Sequence, residues 1–189
     1  MLHGPGFNYY SQVAKLTSVR LFLLRGDRPS RFISTGDIPT AFLQSDDYTD
    51  DEPIRFVKFR EPYNNYEWQL YQQIGPFYGQ RSTPVLWEGK RSRQLCNHGF
   101  TRCHNEPSLY VNPTTKVLVL IYVDDFIVDA LTEKDRDDFM ALMKKLFRVN
   151  PLSIKHLTED NAIDFLGLNI TMSKKNSLSL TCESTHKDL

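Results

Sequence analysis

Two stretches of the chain place apolar residues every three or four positions, which is the spacing of a helix that buries one face, and Pro84 and Gly99 bound a third helical segment. The predicted helices cover residues 12–25, residues 84–98 and a segment that begins at Thr132. The apolar residues that define the first and third helices are Leu16, Val19, Leu23, Phe139, Leu142, Met143, Leu146 and Phe147. The boundary signals are Gly26, Pro84, Gly99 and the capping-box residue Asp135.

Shorter runs of β-branched and aromatic residues, bounded by turn-forming residues, predict the strands. They cover residues 31–37, 54–59, 109–111, 117–122, 126–128, 165–171 and 177–181. Turn-rich links at residues 112–116, 123–125 and 173–176 predict hairpins. The order of helices and strands is typical of an α+β fold with a split βαβ arrangement, in which a ferredoxin-like sheet carries its helices on one face.

Composition supports one globular domain over residues 1–189, because 40% of the residues are apolar and 24% are charged. Three cysteines cannot all pair, which favours a reducing compartment over a disulfide framework. The N-terminus has no signal-peptide pattern, and no apolar run is long enough to span a membrane. We therefore expect an intracellular protein, cytoplasmic or nuclear, that does not insert into a membrane.

The net charge of zero, from 23 basic and 23 acidic residues, argues weakly against a nucleic-acid partner. The two signs are nevertheless segregated along the chain. Basic residues dominate residues 80–104, where Glu88 is the only acid. Acidic residues dominate residues 46–52. A solvated helix face and an acidic surface loop would explain the same pattern without any ligand.

Two adjacent carboxylates follow a nearly continuous apolar strand in the tetrapeptide Tyr122-Val123-Asp124-Asp125. A turn is the conformation that presents both carboxylates at one sheet edge. Asp37 ends an earlier predicted strand, so three acids would gather there and favour a hard divalent cation. Two Mg²⁺ ions, with Mn²⁺ as the alternative, would suit in-line phosphoryl transfer. An ordinary exposed Asp-Asp turn is the competing interpretation.

A second metal hypothesis concerns Cys96, His98, Cys103 and His104. Their spacing differs from that of the usual zinc motifs, in which paired cysteines and histidines recur at fixed intervals. Chance clustering is therefore the preferred explanation.

Several blocks occur in a characteristic order along almost the whole chain, from about Gly4 to near Thr181. The blocks are GDIPTAFLQ, FYG, TPVLW, GF, NEPSLYV, VLVLIYVDDFIV and DFLGLNI. This ordered set resembles the reverse transcriptase of copia-type retrotransposon polyproteins. The resemblance implies a right-hand polymerase palm with partial fingers at residues 1–30 and the start of a truncated thumb at residues 172–189.

The resemblance also implies roles for individual residues. It makes Asp37 and Asp124 the metal ligands, helped by the backbone carbonyl of Ile38, with Asp125 as a companion catalytic acid. Phe42, five residues after Asp37, resembles the aromatic gate that excludes ribonucleotides. The residues implied to contact the nucleotide or the primer are Thr40, Ala41, Arg81, Ser82, Tyr122, Phe165, Leu166 and Gly167.

The implied partners are an RNA or DNA template, a primer, deoxynucleoside triphosphates and the rest of a Pol polyprotein, including RNase H and integrase. The chain departs from the family pattern where Ser82 replaces a polar amide and Val85 a basic residue. Gln80 lies close enough in sequence to be a substitute for that amide. Regions that would close over the duplex are also missing, so the chain is expected to be incomplete as a polymerase.

Three classes of function are therefore open. The first is an RNA-directed DNA polymerase, and the second is a catalytically inactive, retrotransposon-derived remnant that keeps the fold and binds nucleic acid. The third is an unrelated α+β binding module whose acids lie on its surface. The ordered motifs disfavour the third class, and the three acids favour the first.

Overall fold

A computed structural model describes residues 14–24, 31–48, 54–60, 67–173 and 177–182 of the chain. The chain divides into two compact units. The smaller unit comprises Met1–Ser11 and Phe42–Lys90, and the larger comprises Gln12–Ala41 and Arg91–Leu189.

The described residues form α-helices and antiparallel strands, with two short 3₁₀ turns at Ala41–Gln44 and Pro151–Ser153. The helices are α1 (Leu16–Leu24), α2 (Thr83–Asn97) and α3 (Glu133–Phe147). The strands are β1 (Phe32–Asp37), β2 (Arg55–Arg60), β3 (Trp68–Gln73), β4 (Thr101–Arg102), β5 (Leu109–Val111), β6 (Leu118–Tyr122), β7 (Asp125–Ala130), β8 (Lys155–His156), β9 (Ile163–Phe165), β10 (Leu168–Met172) and β11 (Leu178–Cys182).

A six-stranded sheet in the order β4-β5-β6-β7-β1-β8 organises the larger unit. Strand β7 lies between β6 and β1 and is antiparallel to both, so β6 and β1 run in the same direction. Strand β1 likewise separates β7 from β8, which therefore run parallel and are connected through α3. These interleaved strands are the split βαβ pattern that the order of elements predicts.

The two faces of this sheet pack against different elements. On one face, residues of β1, β6 and β7 share a buried cluster with α1 and with β9 and β10 of a separate three-stranded sheet. Helix α3 contacts β1 and β7, and its Phe139 packs edge-on against Phe126 with ring centroids 6.2 Å apart. Phe126 and Ile127 point to opposite faces because they are adjacent in a strand, and Ile127 belongs to the α1 cluster. The prediction that the helices lie on one face is therefore wrong for α1.

Most predicted elements are present within a few residues of their expected bounds, and the mixed α+β class is confirmed. Helix α3 begins as predicted, because the backbone N–H of Asp135 donates to the Thr132 side chain at 3.1 Å. One predicted strand, residues 165–171, is wrong as a single element. It is broken into β9 and β10 by a two-residue turn at Leu166 and Gly167.

Some details of the helices and strands differ from the sequence pattern. Leu16, which the pattern places on the buried face of α1, is 48% exposed. Phe22, which the pattern does not place there, is buried. Strands β3, β4 and β8 were not predicted, because they are short or rich in glutamine. The stop signal at Gly26 lies outside the described residues.

Arg31 ties the end of α1 to the centre of the sheet. Its guanidinium donates to the carboxylate of Asp129 at 2.7 and 3.0 Å, and to the backbone carbonyls of Phe22 and Leu23. Asp129 is completely buried, so its charge requires a partner of this kind. The pair therefore links β7, β1 and α1 at the end of β1 that lies away from Asp37.

We expect Gly36→Ala to destabilise the larger unit. A Cβ atom at Gly36 would lie 2.5 Å from Cζ of Phe126, which is the residue paired with it across β1 and β7. Overpacking of this kind costs about 1–3 kcal/mol, measurable as a lower urea midpoint. In the control Gly89→Ala, the added Cβ atom meets open space within a helix. That control should raise stability by up to about 1 kcal/mol, and an unchanged midpoint for Gly36→Ala would contradict the tight packing.

Candidate active site

The candidate site lies at the end of the β1–β7 strand pair. Asp37, the last residue of β1, is paired with Asp125, the first residue of β7. The backbone N–H of Ile38 continues the ladder by donating to the carbonyl of Asp124 at 2.8 Å. Asp37 and Asp124, separated by 87 positions, are thus held at one sheet edge by backbone pairing between distant strands.

A tight hairpin turn presents Asp124. Tyr122 and Asp125 are paired, so Val123 and Asp124 form a two-residue loop between β6 and β7. Val123 has a φ of 56°, which is an unfavourable conformation for a β-branched residue. Such strain persists only where the surrounding structure imposes it, and here the ladders of β6 and β7 fix both ends of the turn. The exposed side chain of Asp124 therefore lies on a turn whose two ends are both held by strand pairing.

The carboxylates at this edge repel each other. Burial raises the pKa of Asp37 above its usual value, and the charge of Asp124 raises it further. The pKa of Asp125 is raised by burial first, then by Asp124 and Asp37. A raised pKa in the folded protein means that stability present in acid is lost as the pH rises through that pKa. At neutral pH these charges therefore destabilise the metal-free protein.

A hard divalent cation fits this arrangement. Mg²⁺ is typically held by one or two carboxylates and completes its shell with water and substrate phosphates. Within the described ranges, no group of three or more histidine, cysteine, aspartate or glutamate side chains is arranged to hold a metal ion. The expected gathering of three acids into one metal-binding group is therefore not found in the described residues, although Asp124 lies close enough to Asp37 for its charge to raise the pKa of Asp37.

Ser153 is a site residue that the sequence did not indicate. Its hydroxyl accepts the backbone N–H of Asp37 at 3.2 Å and donates to the carbonyl of Asn150 at 2.8 Å. The 3₁₀ turn after α3 thereby fixes the backbone of a candidate metal ligand. Because the contact depends on how the segment after α3 returns to β1, no local motif could have revealed it.

The residues expected near the nucleotide are divided between the two units. Thr40 and Ala41 lie three and four residues after Asp37, with Thr40 exposed at a φ of 50° and Ala41 buried. Phe42, Arg81 and Ser82 belong to the smaller unit. In that unit the half-buried ring of Phe42 packs edge-on against Tyr78, with centroids 5.5 Å apart.

Gln80 does not have a free amide to replace the one missing at Ser82. Its Oε1 accepts from the Tyr48 hydroxyl at 2.9 Å and from the Phe77 backbone N–H at 3.0 Å. Its amide also exchanges two hydrogen bonds of 2.9 Å with the amide of Gln73. Gln80 is therefore engaged in holding the loop between β3 and α2.

The residues expected to contact the primer lie in the larger unit. Tyr122 is half-buried against the core, next to the Asp124 turn. Phe165 is buried, while Leu166 and Gly167 form the turn between β9 and β10 with φ values of 50° and 75°. Positive φ at both central residues is the requirement of a type I′ turn, which explains the glycine.

The cysteine–histidine group is not arranged as a metal site in the described part of the chain. Cys96 is exposed and Cys103 is half-buried, and the Nδ1 atom of His98 is hydrogen-bonded to the carbonyl of Gln94 at 2.8 Å. Chance clustering accounts for these residues.

Residues 5–183 match the family described as reverse transcriptase (RNA-dependent DNA polymerase). The chain therefore belongs to that family, which confirms the resemblance seen in the ordered motifs. A Ty5-1 transposon protein of Saccharomyces cerevisiae is 34% identical over 155 residues, covering 78% of this chain and 46% of that protein. The chain thus spans less than half the length of this relative.

Two solved telomerase structures share the fold. One is the apo telomerase of Candida tropicalis, without its C-terminal domain. The match covers 90% of this chain and 41% of the telomerase chain. Its TM-score is 0.56 at 13% identity. The other is the telomerase of Candida albicans in complex with a fragment of telomeric RNA. The match covers 92% of this chain and 35% of the telomerase chain, with a TM-score of 0.50 at 11% identity.

In the residues that the structure covers, no helix is long and apolar enough to cross a membrane.

Magnesium should stabilise the protein through the two acids. We expect the Tm to rise by about 3–6 °C at a Mg²⁺ concentration near ten times Kd. Asp37→Asn and Asp124→Asn should each raise the Tm in metal-free buffer, because each removes a repelling charge, and each should abolish the magnesium shift. The control is Asp160→Asn, a change to an exposed carboxylate in a loop. Equal magnesium shifts in all four proteins, measured by scanning calorimetry, would rule out this site.

Proposed function

We propose that this protein is the RNA-directed DNA polymerase of a retrotransposon. The single observation that carries the proposal is the pairing of β1 with β7, which sets Asp37 beside the strained turn that bears Asp124. Membership of the reverse transcriptase family supports it. In this proposal the larger unit is a polymerase palm, and residues 1–189 form a reverse transcriptase domain with partial fingers and the start of a thumb.

The catalytic roles follow from the charges at this edge. Asp37 and Asp124 would hold two Mg²⁺ ions, or Mn²⁺, together with the backbone carbonyl of Ile38. When bound, the ions would neutralise charge on the reacting phosphates. Asp125 would make the electrostatic potential at this edge more negative, since its carboxylate interacts with those of Asp124 and Asp37. Ser153 would keep the backbone of Asp37 in place.

The substrate contacts rest on chain position. Thr40 and Ala41 would present backbone N–H groups to the triphosphate of a deoxynucleotide, with Arg81 and Ser82 contributing further contacts. Phe42 would lie under the sugar, five residues after Asp37. Tyr122 and the Phe165-Leu166-Gly167 turn would contact the primer. The template would be RNA or DNA, and RNase H and integrase portions of a Pol polyprotein would be further partners.

Primer extension tests the proposal. We expect residues 1–189 to bind a primer–template weakly and with strong salt dependence, and to add few nucleotides, because the chain has zero net charge. Asp37→Asn and Asp124→Asn should each lower incorporation by at least about 10²–10³-fold, since catalysis of this kind is mostly electrostatic. Single-nucleotide incorporation on a labelled primer with Mg²⁺ measures the effect.

Asp160→Asn is again the matched control and should incorporate at the wild-type rate. Full incorporation by both active-site variants would reject the catalytic assignment. Primer–template binding without incorporation in any ion would instead favour the catalytically inactive remnant. Efficient copying of long templates would contradict the expected weakness of the chain.

Phe42→Ala tests sugar selection. Removing the ring should lower discrimination against ribonucleotides by about one to two orders of magnitude, because a shape-selective wall would be lost. The ratio of kcat/KM for deoxy- and ribonucleotides measures the change. Leu43→Ala, at the exposed neighbouring residue on the same 3₁₀ turn, should leave the ratio unaltered. The same ratio in Phe42→Ala and wild type would remove Phe42 from the site.

A further inference from the structure

The β2–β3 hairpin of the smaller unit has two unlike faces. Strand pairing puts alternate residues on the same side, because successive side chains of a strand point to opposite faces. One face makes ring contacts within its own unit: Phe59, itself 43% exposed, contacts Tyr71 and Phe77, with ring centroids 6.2 and 6.1 Å away. Gln73, on this same face, belongs to the amide network of Gln80. We call this side the inner face.

The opposite side, the outer face, is exposed at every position. It consists of Phe56, Lys58, Arg60, Trp68, Leu70 and Gln72. Phe56, Trp68 and Leu70 are 57%, 52% and 65% exposed. Large apolar side chains gathered on a sheet surface without a cover usually mark an interaction site.

Charge identifies the kind of partner. The two strands, RFVKFR and WQLYQQ, contain three cations and no carboxylate, in a chain whose net charge is zero. Two of these cations lie over the exposed indole of Trp68: Nζ of Lys58 is 5.1 Å and Cζ of Arg60 is 4.8 Å from its ring centroid. An aromatic platform with adjacent cations suits a base and its phosphate, whereas a purely apolar protein partner would leave both cations without a counter-charge.

We propose that the outer face of the β2–β3 hairpin binds single-stranded nucleic acid. Bases stack on Trp68 and Phe56, and the backbone phosphates contact Lys58 and Arg60. A duplex is a poor ligand, because its bases are already stacked on each other and do not offer a free face. The inference rests on the proposed function only in taking nucleic acid as the partner. It assigns a second nucleic-acid contact, distinct from the acidic edge of β1 and β7.

Trp68 provides a direct readout, because the other tryptophan of the chain, Trp87, is only 1% exposed. Titrating the 189-residue chain with a twenty-nucleotide oligo(dT) or oligo(U) in EDTA should quench the emission of Trp68. A duplex of equal length should quench it much less. Trp68→Phe should lose the quenching while retaining most of the affinity, and Trp68→Ala should weaken binding by about one to two orders of magnitude.

The charges are tested separately. Lys58→Gln combined with Arg60→Gln should lower the slope of log affinity against log salt by about 1.4, at about 0.7 for each lost phosphate contact on a single strand. Lys145→Gln, which removes an exposed cation on α3, is the matched control and should weaken binding less. Circular dichroism and Tm measurements check that each variant is folded. If Trp68→Ala does not fold, the quenching of wild-type Trp68 by single-stranded and duplex oligonucleotides still tests the inference.

Equal affinity and salt slope in wild type and the Lys58/Arg60 double variant would overturn the inference. Self-association in the absence of nucleic acid, measured by sedimentation equilibrium, would also overturn the inference if it protects Trp68 from iodide quenching. The outer face would then be covered by a second copy of the chain. Because these measurements contain no divalent ion, they are independent of catalysis. Incorporation of nucleotides without oligonucleotide quenching would remove the hairpin proposal and leave the polymerase proposal intact.

Discussion

The antiparallel register of β1 with β7 is the constraint on which the site depends. Six residues of each strand are paired, from Phe32 opposite Ala130 to Asp37 opposite Asp125. A slip of one residue would turn every side chain of β1 to the other face and bring Gly36 beside the acids in place of Asp37. The fit of Phe126 over Gly36 and the buried pair of Arg31 with Asp129 both oppose such a slip.

This register turns a costly electrostatic arrangement into a useful one. Folding places carboxylates where burial and mutual repulsion raise the pKa of Asp37 and Asp125. The turn at Val123 adds backbone strain at the same point. The strands behind the site offset both costs, because β6 and β7 are buried along nearly their whole length. A cation bound at this edge would recover part of the electrostatic cost.

The smaller unit shows how the same kinds of residue serve structure and recognition. Gln80, Gln73 and Tyr48 are polar, but their side chains are engaged with one another and with the loop before α2. On the outer face of the β2–β3 hairpin, aromatic and basic side chains face solvent. Burial and hydrogen bonding thus separate the residues that hold this unit together from those available to a partner.

The α+β class, most helices and strands, the family and the two acids at strand ends can all be predicted from the sequence, because periodicity and short motifs are local properties. Three features emerge only in the folded chain: α1 packs opposite α3, residues 165–171 break at a turn, and Ser153 supports Asp37. A fourth is that the Gln80 side chain is hydrogen-bonded within its own unit. Each of these depends on which distant segments meet, and that is set by packing and by hydrogen bonds between residues far apart in the chain.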